Sequence, residues 1–242
     1  MFHRNGFISF IKFSGTVGLI LLAGTCQPEP ARAILERIYN RPGFDEVATL
    51  RYTFNVQLPD RTVQRSWEWH PHSGRVVSAP DSADDRIEYN HYQLTENFKD
   101  LDARFINDLY WLLFPYLILR DPHCEIKNPV EATMPISGDT GRKITVRFKA
   151  DRGYTPGDVY ALFLNADGLI AEWIYYRGGA VEPTRITTWE DTVPAGPIKL
   201  SLDHHGPDGR FRVWFSNVRI RLKHSTDWIE VSRRQISDHQ EE

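Results

Sequence analysis

Three short stretches of the sequence combine side chains that can bind metals or move protons. Asp203-His204-His205 offers a carboxylate and two imidazoles, the ligands that a hydrolytic divalent metal uses. His70-Pro71-His72 offers two more imidazoles, and Asp121-Pro122-His123-Cys124 places a base beside a thiol, as a nucleophile–base pair requires. Each stretch also fits a surface turn, and the chain has no G-x-S-x-G, P-loop, G-x-G-x-x-G, H-E-x-x-H or C-x-x-C motif. The sequence therefore predicts no catalytic residue, no cofactor and no metal site, with a metal-dependent hydrolase using Asp203-His204-His205 as a third hypothesis.

A set of aromatic and apolar residues could instead bind a ligand without reacting with it. Rings with a polar tip, such as those of tyrosine and tryptophan, suit an acyl chain close to its head group. An apolar cavity wall is one interpretation of these residues, and a solid packed core is the other. We predict that the lining of a lipid or acyl-chain site comprises Tyr52, Phe54, Val56, Trp67, Trp69, Tyr110, Phe114, Trp173 and Tyr175.

Glu172 is an isolated charge among the apolar residues of the segment 169–176. We expect it to pair with Arg65, Arg147 or Arg185 across a sheet, or to face water. If its carboxyl group points inward instead, burial would raise its pKa.

Arg219, Arg221 and Lys223 alternate with apolar residues and form a basic stripe on one strand face. Such a stripe can meet anionic lipid head groups or an acidic protein partner, or it can be a solvated face that protects a sheet edge. The whole chain has 242 residues, of which 41% are hydrophobic and 25% charged, and its formal net charge is −3. This composition indicates a soluble globular domain, and the net charge lacks the basic excess of a nucleic-acid-binding protein, so we expect no nucleic-acid partner.

The N-terminal residues 1–25 have the form of a bacterial export signal. His3, Arg4 and Lys12 come without any acidic residue, and the apolar run Phe13–Ala23 follows them. A membrane-spanning helix needs about 20 apolar residues, so this run is too short to remain as an anchor by itself. A buried N-terminal helix is the alternative interpretation.

The segment Leu22-Ala23-Gly24-Thr25-Cys26 resembles the lipobox of bacterial lipoproteins, with Thr25 as an extra residue before the cysteine. The resemblance implies acylation of Cys26 and attachment to the membrane through that acyl anchor, and Gln27 is compatible with outer-membrane sorting. Cleavage after Ala31-Arg32-Ala33 is the alternative. Cys26 could form a disulfide with Cys124 only if the signal is not processed at Cys26, and otherwise Cys124 has no intramolecular partner.

These observations divide the chain into four segments. An export signal covers 1–25, and a tether with the helical candidate Ala31–Tyr39 covers 26–46. The folded domain covers 47–232, and the polar residues 233–242 are expected to be a disordered tail.

The body of the chain predicts antiparallel strands. Residues Arg51–Leu58 alternate polar and apolar side chains with period two, which is typical of a half-buried strand. In the next predicted strand, Val63, Trp67 and Trp69 share a face. Arg65 interrupts that face, and it therefore needs a partner or a place at the rim.

One helix interrupts this pattern between Asp100 and Phe114, where apolar residues recur at helical spacing. Asp100 can cap its start, and Pro115 is expected to end it. Asn165–Gly168 predicts a hairpin turn, and a change of apolar phase predicts a bulge at Ser216-Asn217. We count about ten strands and one principal helix inserted after the fourth. The predicted fold is mainly β (α+β), an open antiparallel half-barrel whose concave face the helix covers.

This arrangement resembles the LolA/LolB-like periplasmic lipoprotein carriers. The stretches that carry the resemblance are Leu50–Leu58 followed by Trp67-Glu68-Trp69, Phe105–Pro115, and Gly157–Phe163 before the hairpin at Asn165. The resemblance implies an exported envelope protein with an unclosed β-barrel, helices over its concave face and an acyl cargo. Because one fold hosts several functions, a structural lipoprotein with a solid core that binds an envelope protein is the alternative.

Overall fold

The computed structural model describes residues 29–151 and 154–232. The predicted export signal, Cys26 and the predicted tail lie outside the described residues. Two short helices lead into the sheets: α1 (Ala31–Tyr39), at the bounds of the helical candidate, and α2 (Arg41–Phe44).

Fourteen strands lie within the described residues, and every pairing between them is antiparallel. In chain order they are β1 (Val47–Gln57), β2 (Thr62–His70), β3 (Arg75–Ser78), β4 (Ile87–Asn90), β5 (Cys124–Ile126), β6 (Val130–Thr133), β7 (Thr140–Phe148), β8 (Val159–Leu164), β9 (Ile170–Tyr176), β10 (Arg185–Thr188), β11 (Glu190–Ala195), β12 (Ile198–His205), β13 (Arg212–Leu222) and β14 (Ile229–Val231).

The strands form two sheets. Sheet A has the order β11-β12-β13-β1-β2-β3-β4, with β14 also paired to β13. Sheet B has the order β10-β9-β8-β7-β5, with β6 also paired to β7. Trp189 alone separates β10 from β11, so the chain passes directly from the edge of sheet B to the edge of sheet A.

The architecture is mainly β, with two antiparallel sheets, one long helix and no closed barrel among the described residues. It is consistent with the predicted open half-barrel, but the described part of the chain has fourteen strands rather than about ten. Sequence periodicity does not reveal β5 and β14, because three residues are too few to display a two-residue repeat.

Helix α3 (Lys99–Arg120) is longer than predicted, and the prediction that Pro115 ends it is wrong. Pro115 removes one backbone donor from the helix. The turn after it nevertheless buries Tyr116, Ile118 and Leu119, and this burial offsets the lost hydrogen bond. Asp100 does not cap the helix either, because it lies within the first turn, where a carboxylate interacts favourably with the helix dipole.

Packing of α3 involves both sheets. The ring centroid of Phe105 lies 5.4 Å from that of Trp67 and 5.9 Å from that of Trp69, both on β2. Phe114 lies 4.5 Å from Tyr160 on β8 and 5.3 Å from Trp173 on β9. The helix therefore joins the cores of sheets A and B. Within the described residues, no helix combines the length and hydropathy needed to cross a bilayer.

Two predicted backbone features are present. Gly168 closes the hairpin between β8 and β9 with a φ of +80°. Asn217 has a φ of +52°, and the pairing of β1 with β13 shifts register between Arg51 and Thr53, opposite Asn217. The predicted bulge at Ser216-Asn217 is therefore confirmed.

Candidate functional site

A cleft of about 280 Å³ lies between α3 and sheet B. One face of α3 reaches it, because positions 103, 106, 107, 110 and 111 recur at helical spacing. Strands β8 and β9, the segment 154–158 and Arg177, which follows β9, supply the rest of the wall. The lining residues are Ala103, Ile106, Asn107, Tyr110, Trp111, Tyr154, Thr155, Asp158, Tyr160, Trp173, Tyr175 and Arg177.

The structure divides the predicted lining residues between cleft and core. Tyr110, Trp173 and Tyr175 line the cleft, and Trp69 lines a second cleft described below. Phe54, Val56 and Phe114 line neither cleft and pack in the hydrophobic core. Tyr52 and Trp67 pack in the same core and also border a third cleft, of about 440 Å³, on sheet A. Alternation along a strand identifies an inward side chain, but it cannot show whether that side chain meets another ring or open space. Ligand binding at this cleft stays a prediction.

Several cleft residues were not predicted from the sequence. Trp111 lies on the same face of α3 as Asn107, four residues earlier, and this spacing could have identified it. Tyr160 lies inside a continuous apolar run, where period two is not visible. Tyr154 and Arg177 lie outside the strands, where no periodicity predicts the direction of a side chain.

Hydroxyl groups, the Asn107 amide, the Arg177 guanidinium and one buried carboxylate give the cleft its polarity. Tyr175 Oη donates a hydrogen bond to Asp158 Oδ2 over 2.9 Å, and the backbone N–H of Gly178 donates to Asp158 Oδ1 over 2.7 Å. Burial raises the pKa of Tyr110 to about 12, and burial also raises the pKa of Tyr160. These phenols are therefore uncharged at neutral pH and act as hydrogen-bonding groups.

A second cleft of about 380 Å³ shares Ile106, Tyr110 and Tyr154 with the first. Asp102 holds Tyr154 at the boundary between the two clefts, because its carboxylate accepts a hydrogen bond from Tyr154 Oη. His91 stacks on the Tyr154 ring at 5.6 Å, and its Nδ1 lies 2.8 Å from Asp102 Oδ1. Burial would raise the pKa of Asp102, but hydrogen bonds with His91 and Tyr154 outweigh it and lower this pKa.

Arg65 finds the partner that the sequence requires in Asp108 on α3. Its Nε and Nη2 donate to the two carboxylate oxygens of Asp108 over 2.7 and 2.6 Å. Trp67 Nε1 donates to the same carboxylate over 2.9 Å. Asp108 is fully buried, so this network ties the middle of α3 to β2.

In the stretch Asp203-His204-His205, the side chains of Asp203 and His204 contact other residues of the protein. Arg212 donates two hydrogen bonds to the Asp203 carboxylate, over 2.9 and 2.6 Å. Burial lowers the pKa of His204 to about 4, and its Nδ1 lies 3.2 Å from the carbonyl oxygen of Thr188. In residues 29–151 and 154–232, no group of three or more His, Cys, Asp or Glu side chains is placed to hold a metal ion.

The thiol of Cys124 is turned toward the backbone. Its Sγ donates to the carbonyl oxygens of Ile118, over 3.1 Å, and of Asp121, over 3.3 Å. Burial raises the pKa of Cys124 to about 11, so the thiol stays protonated at neutral pH and is a poor nucleophile.

The expected pairing of Glu172 with an arginine is wrong. Its carboxylate accepts hydrogen bonds from the backbone N–H groups of Ile136, over 2.7 Å, and Ser137, over 2.8 Å. Glu172 is only 3% exposed, and these two hydrogen bonds anchor the turn before β7 to β9. Backbone donors from a loop are invisible in a sequence, since any residue type can supply them.

The basic stripe packs against an aromatic ring. The guanidinium carbons of Arg51, Arg219 and Arg221 lie 5.6, 5.0 and 5.4 Å from the ring centroid of Trp228. Lys223 at the end of the stripe is exposed. Three cations around one indole indicate cation–π packing of the outer face of sheet A.

Glu68 is the centre of an ion-pair cluster that predicts a pH dependence. His70 Nε2 lies 2.8 Å and Arg75 Nη1 3.0 Å from Glu68 Oε1, and Arg51 donates to Oε2. Burial opposes ionisation, but hydrogen bonds with His70 and Arg51 outweigh it and lower the pKa of Glu68 from 4.5 to about 2. A lowered pKa stabilises the fold above the unfolded-state value, and this stability is lost as the pH falls toward the folded-state value.

We therefore expect Glu68→Gln to flatten the loss of unfolding free energy between pH 4.5 and 2, a range set by the two pKa values of this group. The group accounts for up to about 3 kcal/mol of that loss. Urea unfolding followed by circular dichroism at several pH values measures it. Glu125→Gln, at an exposed position, is the control and should keep the wild-type profile. An unchanged profile in Glu68→Gln would contradict the expectation.

Comparisons with known proteins show a similarity of fold only. No protein-family model and no curated protein matches the sequence. The structure is similar to the crystal structure of a DUF1329 family protein from Desulfovibrio piger, with a TM-score of 0.43 and 11% identity over 81% of this chain and 95% of the other. It is also similar to a domain from Vibrio parahaemolyticus named for outer membrane lipoprotein sorting, with a TM-score of 0.42, 11% identity and the same shares of the two chains. Values this low carry no argument about function, and the family resemblance of the sequence stays a prediction.

Proposed function

We propose that this chain is an exported protein of the bacterial envelope that binds a lipid or acyl chain in the cleft between α3 and sheet B. The observation that carries the proposal is the cleft itself, in which mainly aromatic and apolar side chains, together with the polar residues Asn107, Thr155, Asp158 and Arg177, surround about 280 Å³. The proposal includes attachment to the membrane through acylated Cys26, which precedes α1 in the chain.

The size and lining of the two clefts support an elongated apolar ligand. Ligand sites are typically clefts of about 300–1,000 Å³ with mainly apolar walls and a few polar groups. The first cleft is close to the lower bound, and the adjoining cleft of about 380 Å³ extends the surface past Tyr154. Burial of each CH₂ group contributes about 0.8 kcal/mol before the costs of association, so a chain of moderate length suffices for measurable binding.

Binding is tested with N-phenyl-1-naphthylamine, an uncharged apolar fluorophore, and with native mass spectrometry of the full chain purified from bacterial membranes. We expect fluorophore uptake and a co-purifying lipid. Intact mass of the same preparation tests the tether, since acylation at Cys26 fixes both the first residue and the added mass. Absence of both lipid and fluorophore uptake would remove the proposal.

Ala103→Trp is expected to reduce fluorophore affinity at least tenfold, because its side chain enters the cleft from an exposed position on α3. The free energy of unfolding should change by less than about 0.5 kcal/mol, since the site is exposed. Arg104→Trp, at the next and equally exposed position, does not line the cleft and is the matched control. Equal affinities of the two variants would place the fluorophore elsewhere.

A second candidate is a structural lipoprotein that binds an envelope protein. The dense core around Phe54 and Phe114 favours it, as does Val181, which is 91% exposed between β9 and β10. Crosslinking in cells that captures a defined partner, together with a lipid-free protein, would support this candidate over the first.

A further inference from the structure

The mouth of the cleft carries an exposed cation. Arg177 follows β9 directly and lines the cleft with Tyr175 and Trp173 of that strand. A hydrogen bond to the Tyr175 hydroxyl raises the pKa of Arg177, and a guanidinium is charged at every physiological pH. A ligand that enters the cleft therefore passes a permanent positive charge.

The cleft wall also contains a buried polar group without a partner in the described part of the chain, on Trp173. The residue is 3% exposed, and its indole Nε1–H has no hydrogen-bond acceptor among the described residues. A buried donor without an acceptor costs about 1–3 kcal/mol.

Asp158 is the carboxylate among the lining residues, and it is buried and already hydrogen-bonded. Both of its oxygens accept hydrogen bonds, from Tyr175 Oη and from the backbone N–H of Gly178. Asp158 is 5% exposed, whereas Arg177 is exposed. The exposed charge that an incoming ligand meets first is therefore that of Arg177, and the buried Asp158 carboxylate attracts the same guanidinium from within the wall.

We propose that the ligand of this cleft is an anionic amphiphile, with its carboxylate or phosphate at Arg177 and its chain along Ile106 and Trp111. This inference rests on the proposed function, and it adds the chemical class of the head group. A carboxylate or phosphate accepts hydrogen bonds from the guanidinium and also neutralises its charge. An alcohol accepts a hydrogen bond but leaves the charge uncompensated. An alkylammonium group is repelled by Arg177.

The test is displacement of N-phenyl-1-naphthylamine from the full chain by oleate, oleyl alcohol and oleylamine, which share one chain and differ in the head group. We expect oleate to displace the fluorophore at about tenfold lower concentration than oleyl alcohol, as one hydrogen bond to a charged group predicts. Oleylamine should be the weakest of the three. Dioleoyl phosphatidic acid tests the phosphate form of the same chemistry, and either anionic lipid outcompeting the alcohol supports the inference.

Substitutions of Arg177 distinguish the contribution of the lipid head group to binding from that of the lipid chain. Within the Arg177→Ala variant, oleate should displace the fluorophore at the same concentration as oleyl alcohol, and Arg177→Lys should restore part of the difference between the two lipids. Arg37→Ala, an exposed arginine on α1 outside the cleft, is the control and should behave as the wild type.

Each opposing result has its own meaning. If neither oleate nor dioleoyl phosphatidic acid outcompetes oleyl alcohol, or if the affinity for the anionic lipids is unchanged in Arg177→Ala, the anionic assignment is overturned and the proposed function stands. Displacement by inorganic phosphate alone overturns the amphiphile assignment, because no chain is then needed. Failure of the protein to bind the fluorophore or any of the lipids overturns the proposed function itself.

Discussion

Replacing Asp108 with alanine is expected to lower the free energy of unfolding by about 3 kcal/mol, the lower end of the cost of breaking a buried ion pair, because the Arg65 side chain keeps 27% of its surface exposed. The carboxylate is fully buried and accepts from Arg65, Trp67 and the Asn107 side chain, the last over 3.1 Å. Its removal leaves the Arg65 guanidinium uncompensated and the indole N–H of Trp67 without its acceptor. Urea unfolding at neutral pH, followed by circular dichroism, measures the loss.

Two further variants decide how the Asp108 loss is interpreted. Asp100→Ala removes an exposed carboxylate from the first turn of the same helix and should cost less than about 1 kcal/mol. The double variant Arg65→Met/Asp108→Leu should recover part of the loss, because no buried charge is left alone. A single variant Asp108→Ala that unfolds at the same urea concentration as Asp100→Ala would show that the network does not hold α3 to β2.

Replacing Phe114 with alanine is expected to cost about 3–5 kcal/mol, as truncation of a fully buried aromatic side chain does. Its ring has no exposed surface and lies 4.5 Å from Tyr160, 5.3 Å from Trp173 and 5.7 Å from Tyr110 between ring centroids. The three neighbours form cleft wall, and Phe114 supports them from behind. Thermal and urea unfolding measure the effect on stability.

Tyr110→Ala is the matched comparison, because Tyr110 is half-buried and lines the cleft directly. We expect Tyr110→Ala to lose less stability than Phe114→Ala and more affinity for N-phenyl-1-naphthylamine. The opposite order, with affinity lost in Phe114→Ala and stability unchanged, would return Phe114 to the ligand-binding surface that the sequence predicts for it.

Local sequence patterns predicted the elements whose cause is local. The helical candidate Ala31–Tyr39 has the observed bounds of α1, and the phase change at Ser216-Asn217 marks a real bulge. A hairpin turn with glycine at its last position depends on four adjacent residues, and it forms at Asn165–Gly168 as expected. The prediction that Pro115 ends α3 is wrong because the hydrogen bond lost at a proline is a local cost, whereas the burial that offsets it comes from distant residues. Those residues lie in α1, α2 and sheet A.

The amino-acid order by itself determined that this chain forms antiparallel strands around one long apolar helix, since periods of two and of about 3.6 residues are properties of neighbouring positions. Only the tertiary structure decided that Asp108 is the partner of Arg65, that loop amides hold Glu172, and which inward rings border a cleft. Those outcomes depend on where α3 lies against each sheet. That placement is set by contacts between residues far apart in the chain, and no local pattern encodes it.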